Sequence, residues 1–202
     1  MRLLLIRHAH TAAVGRTLAG RAPGLGLSTE GRREAAALAR WLAAAPLQAV
    51  YASPMARALE TATALARPHG LGVLPAPGLL EVDYGAWTGR DLTTFDVDPA
   101  WVAWNAARSV ARAPDGETFA AMQGRAVAEA LALAARHGDD DTLVAAVTHA
   151  DVVRAVLGYV LGVPAELQLR LEIAPASITE VELAAWGARV HRVNERAAST
   201  FA

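Results

Sequence analysis

Short unbroken apolar runs alternate along the chain with longer stretches whose apolar positions recur every three or four residues. The first run, residues 2–6 (RLLLI), stops at Arg7 and His8 and reads as a buried strand that delivers polar side chains at its C-terminal end. Residues 12–27 are glycine-rich, with Pro23, and read as a loop. Ser28 or Thr29 then caps a helix to about Ala44, with Leu38, Trp41 and Leu42 on one face. Residues 48–52 (QAVYA) predict a second strand, and Pro54 opens a helix at its first turn that runs to about Arg67. Pro68 and Gly70 close that helix, and a short strand follows near 71–74. Residues 77–116 are irregular, carry Trp87, Trp101 and Trp104, and read as an inserted cap. An alanine-rich helix covers 117–137, a buried strand 143–147 ends at Thr148-His149, and a helix covers about 151–161. Residues 177–183 and 188–193 read as paired strands around Trp186-Gly187. Strands alternating with helices predict an α/β fold with a largely parallel sheet.

Composition narrows the picture. The 202 residues suit one domain, 1–202, with room for the cap, and 53% are hydrophobic, which points to packed helices rather than disorder. The net charge of −1 gives no global basic field, so neither nucleic acid nor an anionic membrane is an expected partner. There is no cysteine, which removes disulfides, thiolate zinc sites and cysteine nucleophiles. There is no lysine either, so an anion site must use arginine and histidine, without Schiff-base or P-loop chemistry. The start, MRLLLIRH, is too short an apolar run for a signal peptide, and Arg and Glu break every alanine-rich run, so the expected location is the cytoplasm.

The candidate chemistry sits at strand ends. The strands at 2–6 and 143–147 each end in a histidine, His8 and His149. Ligands of open α/β sheets bind outside the C-terminal strand ends, so these two could share a site. Arg57, early in the helix after the second strand, could reach the same rim, where that helix's N-terminus favours an anion. Arg7, Arg57, His8 and His149 together would make a phosphate pocket that needs no metal and no cofactor, with imidazole as a competent nucleophile.

Four blocks carry a resemblance: LLLIRHAHT at 3–11, YASPMARALETA at 51–62, LLEVDYGAWTG at 79–89 and VTHADVVRAVL at 147–157. In this order, with GRAPGLGLSTEG at 20–31, the chain resembles the histidine phosphatase superfamily, the phosphoglycerate-mutase-like enzymes. The resemblance implies a three-layer α/β/α fold around the sheet. It implies that His8 is the nucleophile that becomes phosphohistidine, and that Arg7, Arg57 and His149 hold the transferring phosphoryl group. It implies Glu81 as the general acid, with Asp83 two residues away as the rival. Thr11 and the backbone at Ala150 are expected to add donors. His10 is expected at the rim, and His69, His137 and His191 at the surface.

The sequence also departs from the family. Val14 stands where an asparagine is usual and cannot donate a hydrogen bond. The loop around Gly20 is expected to compensate through backbone N–H groups. The expected activity is a metal-independent phosphomonoesterase acting on a small phosphorylated metabolite, since mutases are usually longer and richer in insert arginines. Arg90, Arg108 and Arg112 are the insert candidates here. The alternatives are a cofactor-dependent phosphoglycerate mutase and a silent scaffold that binds phospholigands. The insert tryptophans either cover the core or wall a larger leaving group, and oligomeric state stays open.

Overall fold

The computed structural model describes residues 1–138 and 142–197. In chain order the elements are β1 (Arg2–Arg7), α1 (Thr29–Trp41), β2 (Leu47–Ala52), α2 (Ala56–Ala66), β3 (Val73–Pro75), α3 (Pro99–Ala106), α4 (Phe119–His137), β4 (Leu143–Thr148), α5 (Ala150–Leu161), β5 (Ile178–Ala184) and β6 (Gly187–Glu195). One six-stranded sheet has the order β3-β2-β4-β1-β5-β6. The first four strands of that order run parallel, while β5 pairs antiparallel with β1 and β6.

The alternation along β1 and β4 builds a layer on each face, because successive strand side chains point to opposite sides. Leu3, Leu5, Val144 and Ala146 face one way, onto Met122 and Ala126 of α4 and Val153 and Val156 of α5. Leu4, Ile6, Ala145 and Val147 face the other, onto Leu38 of α1 and Ala58, Ala62 and Leu65 of α2. The central strands β1 and β4 are therefore buried on both faces, as parallel strands are, and the fold is the three-layer α/β/α arrangement expected.

The helix starts follow their caps. The Ser28 hydroxyl accepts from the Gly31 amide at 3.0 Å, and the Thr118 hydroxyl from that of Ala121 at 3.1 Å. Several boundaries differ from expectation. α2 starts at Ala56, with Met55 at its N-cap, so Pro54 lies before the helix rather than in its first turn. α1 ends at Trp41, which is exposed, while Leu38 alone of its expected face is fully buried. Segment 77–116 is more ordered than expected, with α3 inside it, because Asp98 caps that helix on the amides of Ala100 and Trp101 and Pro99 opens its first turn. Trp87, Phe95 and Trp104 from this segment join the larger core cluster.

The register puts β1, β2 and β4 level at their C-terminal ends. The His8 amide donates to the Thr148 carbonyl at 2.8 Å, and the Ser53 amide to that of Val147 at 2.9 Å. Three polar side chains thus leave the sheet at one edge, which is what creates the site.

Candidate active site

His8 is buried just past β1, with 5% exposure. Its Nδ1 lies 2.8 Å from the Ala9 carbonyl. A carbonyl only accepts, so Nδ1 carries the proton and Nε2 keeps its lone pair. Arg57, the second residue of α2, donates from Nε to that lone pair at 3.2 Å. Its Nη2 donates to the Gly20 carbonyl at 2.7 Å and to Nδ1 of His149 at 3.2 Å. With Nδ1 of His149 accepting, Nε2 holds the proton and donates to the Ser53 hydroxyl at 2.8 Å. The two imidazole rings meet edge to face, 5.3 Å between centroids.

Burial, reinforced by the Arg57 charge, pushes the His8 imidazole down to about 3. The same two causes hold His149 well below its ordinary value. Both rings are therefore neutral at pH 7, and the His8 Nε2 lone pair is met by the Arg57 guanidinium. Arg7 donates from Nη1 to the Ile173 carbonyl at 2.6 Å. Arg7 Nε and Arg57 Nη1 are buried donors with no partner among the described residues. An unpaired buried donor costs about 1–3 kcal/mol, so two of them beside one imidazole suit a site that an anion completes.

Glu81 lines the same cavity, its Oε2 3.8 Å from Nδ1 of His149. Burial raises its carboxyl to about 7, and the charge of Asp151 pushes the same way. Asp83 faces elsewhere. Its carboxylate accepts from the Gly85 amide and pairs with Arg21 at 3.5 Å, off the cavity lining. The backbone of Glu81 is clamped: Arg21 Nε and Arg125 Nη2 both donate to its carbonyl, and Glu117 bonds both arginines.

Thr11, Gly20 and Ala150 also line the cavity. Ala150 opens α5, so that helix's N-terminal end meets the site. Gly20 has φ +47°, and a Cβ there would meet the Thr88 hydroxyl at 2.8 Å. The contact that Gly20 makes to a site residue is through its carbonyl, which accepts from Arg57. Val14 lines the cavity as a bare apolar side chain. His10 lies outside the lining, with Nδ1 2.9 Å from the Ser28 hydroxyl that caps α1. Of the insert arginines, only Arg108 reaches the cavity. Arg90 pairs with Asp98 at 2.9 Å, and Arg112 donates to the Gly116 carbonyl. His137 is not a plain surface residue, because its Nε2 lies 2.9 Å from the buried Tyr51 hydroxyl.

Sequence reasoning missed Ser53, Tyr84, Asp151 and Arg154. Ser53 stood in the quoted Ser-Pro pair at a strand end, which was a usable signal. Asp151 has one local partner, Arg154 three residues on, but its other partners come from distant segments: Tyr84 donates to it at 2.5 Å and Arg108 at 3.2 Å. Among the described residues, no group of three or more His, Cys, Asp or Glu could hold a metal ion, and no helix is long and apolar enough to cross a membrane.

A model of the histidine phosphatase superfamily (branch 1) matches residues 3–196. A bifunctional protein of Mycobacterium tuberculosis is 32% identical over 206 residues, which cover 96% of this chain and 54% of that protein. The chain thus spans about half the length of the mycobacterial relatives it matches. A solved mycobacterial glucosyl-3-phosphoglycerate phosphatase is similar with a TM-score of 0.85 and 26% identity, covering 96% of this chain and 98% of that one. The solved α-ribazole phosphatase of Shigella flexneri gives a TM-score of 0.83 and 26% identity, covering 97% of each chain.

Proposed function

The chain belongs to the histidine phosphatase superfamily (branch 1), and from that membership we propose that it is a metal-independent phosphomonoesterase acting through a phosphohistidine at His8. The observation that carries the reading is the unprotonated Nε2 of His8, held by the Arg57 guanidinium, beside the unpartnered N–H groups of Arg7 and Arg57. The phosphatases among its structural neighbours support it.

In this reading the substrate phosphoryl group binds among Arg7, Arg57, Thr11 and the amide of Ala150, with His149 positioning Arg57 by accepting from its Nη2. Nε2 of His8 attacks phosphorus in line, and the bond from phosphorus to the leaving oxygen breaks. Glu81 is protonated in about half the molecules at pH 7 for a carboxyl near 7, and it gives its proton to that oxygen, so a neutral alcohol departs. Water then attacks phosphorus, passes a proton to Glu81, and the P–N bond breaks to return His8 and release phosphate. Arg7 and Arg57 stay charged throughout and offset the charge on the phosphoryl oxygens. Ser53 keeps the His149 tautomer whose Nδ1 faces the site. Residues 1–202 would act as one domain, with 77–116 as the cap over the leaving-group side.

The test is phosphate release across a panel of phosphorylated metabolites with EDTA present, and with His8→Ala as control. Wild-type turnover and none in His8→Ala is the expected result. Undiminished turnover by His8→Ala would refute the reading. Stoichiometric transfer between the 2- and 3-positions of phosphoglycerate, with little free phosphate, would select a mutase. Phosphate binding without turnover or phosphohistidine would select a scaffold.

A further inference from the structure

Glu81 sits where the backbone has no regular partners. It lies between two short helical turns, Pro77–Leu79 and Gly85–Trp87, and belongs to neither a strand nor a long helix. A working acid has to be held to within about 0.5 Å, so side chains must meet the backbone groups that a ladder would otherwise satisfy. Glu117, just before the Thr118 cap of α4, is the centre of that support. Its Oε1 accepts from the Asp83 amide at 2.8 Å, from Arg21 Nη2 at 2.9 Å and from Arg125 Nη2 at 2.6 Å. Its Oε2 accepts from Arg125 Nε at 3.2 Å, and its own amide donates to the Asp83 carbonyl at 2.9 Å. Bonds between a carboxylate and a guanidinium are charge-assisted and among the stronger ones in a protein.

The two arginines carry this grip to Glu81 itself. Arg21 Nε and Arg125 Nη2 donate to its carbonyl at 2.8 and 3.0 Å. Arg125 Nη1 donates to the carbonyls of Gly78 and Leu80 at 2.8 and 2.6 Å. With the Glu81 carbonyl and both Asp83 backbone groups held, the Val82 amide between them donates to Oε1 of the Glu81 carboxyl at 2.9 Å. The other oxygen stays on the His149 side, 3.8 Å from Nδ1. The support also reaches the phosphate end. Gly20, next to Arg21, accepts from Arg57 Nη2 at 2.7 Å, and the same Arg57 meets Nε2 of His8. The dipeptide Gly20-Arg21 thus joins the guanidinium at the nucleophile to the backbone of the acid. Arg21, Glu117 and Arg125 all lie off the cavity lining, so they act through Glu81 and not on the substrate.

We infer that Glu117 is a positioning residue for proton donation: through Arg21 and Arg125 it fixes the place of the Glu81 carboxyl relative to His8. The inference rests on the phosphatase reading above.

The experiment measures kcat and KM of the purified chain on glycerol 3-phosphate, whose alkoxide needs a proton to leave, and on p-nitrophenyl phosphate, whose phenolate does not. Glu117→Ala should lower kcat on glycerol 3-phosphate by about 10–100-fold, the cost of a misplaced group, while KM stays nearly unchanged. Turnover of p-nitrophenyl phosphate should change little. Added to Glu81→Gln, Glu117→Ala should cost almost nothing more on glycerol 3-phosphate, because the acid it positions is already gone. Arg21→Met removes one arm of the support and should show the same selective loss, smaller in size; it carries the test if Glu117→Ala does not fold. Equal losses on the two esters, a double variant whose loss multiplies those of the single ones, or no loss in the folded variants overturns the inference and leaves the phosphatase reading standing. So does a wild type that cleaves only p-nitrophenyl phosphate, or full turnover of glycerol 3-phosphate by Glu81→Gln. Hydrolysis of neither ester by the wild type removes the phosphatase reading and this inference with it.

Discussion

Replacing Glu81 by Gln separates proton donation from everything else the side chain does. The amide keeps the shape and can still accept from the Val82 amide, which Oε1 does at 2.9 Å. What it loses is an acid whose carboxyl is raised from 4.5 to about 7. An ordinary glutamate near 4.5 would be protonated in only about one molecule in 300 at pH 7. Raised to about 7, it is protonated in about half, a gain of roughly 150-fold in the competent form. The sign follows: the donating form dominates below 7 and is lost about tenfold per unit above it. Alkyl phosphates, which need that proton, should therefore show kcat/KM falling above about pH 7. p-Nitrophenyl phosphate, whose phenolate leaves unaided, should lack that limb. Glu81→Gln should slow the alkyl ester by about 10²–10⁴-fold, the usual worth of a positioned acid, and erase its alkaline limb, while the aryl ester changes little. Stopped assays of phosphate release from pH 5 to 9 on both esters measure this. Equal losses on the two esters, or an alkaline limb that persists in the variant, would refute the acid role.

Acid should destabilise the fold through its buried imidazoles. His8 drops from 6.5 to about 3 on folding, so below 6.5 the unfolded chain binds a proton that the fold refuses. That stability is present above 6.5 and is lost as pH falls toward 3, by at most about 1.4 kcal/mol per unit. Urea unfolding between pH 6.5 and 4 should show a shallower decline in His8→Asn than in the wild type, and matching slopes would contradict the assignment. Ser53→Ala leaves the Nε2 proton of buried His149 without its acceptor, so unfolding free energy should fall by about 1–3 kcal/mol, with slower turnover. An unchanged urea midpoint would show that this bond contributes nothing.

The sequence carried whatever is encoded within a few consecutive residues. The alternation of Leu3, Leu4, Leu5 and Ile6 between two cores follows from a period of two, and so β1 was legible. His8, Arg57 and His149 were legible for a related reason: each sits at or just beyond the C-terminal end of a strand, or one turn into the next helix. Strand ends are where such sheets place their sites. Glu81 was legible only as one of two neighbouring acids. The choice against Asp83 required Arg21, 62 residues away in sequence. The sheet order was not written locally either, since β4 lies between β2 and β1 only once both cores are packed. The tautomers of His8 and His149, the unpaired guanidinium donors of Arg7 and Arg57, and the pairing of Arg108 with Asp151 all arise between segments far apart in the chain. Hydrogen bonds and desolvation act over a few ångströms of space, and local residue patterns do not record which distant groups will come within that range. The sequence alone thus determined which residues can do chemistry, and tertiary packing decided their protonation and which charges remain open to a ligand.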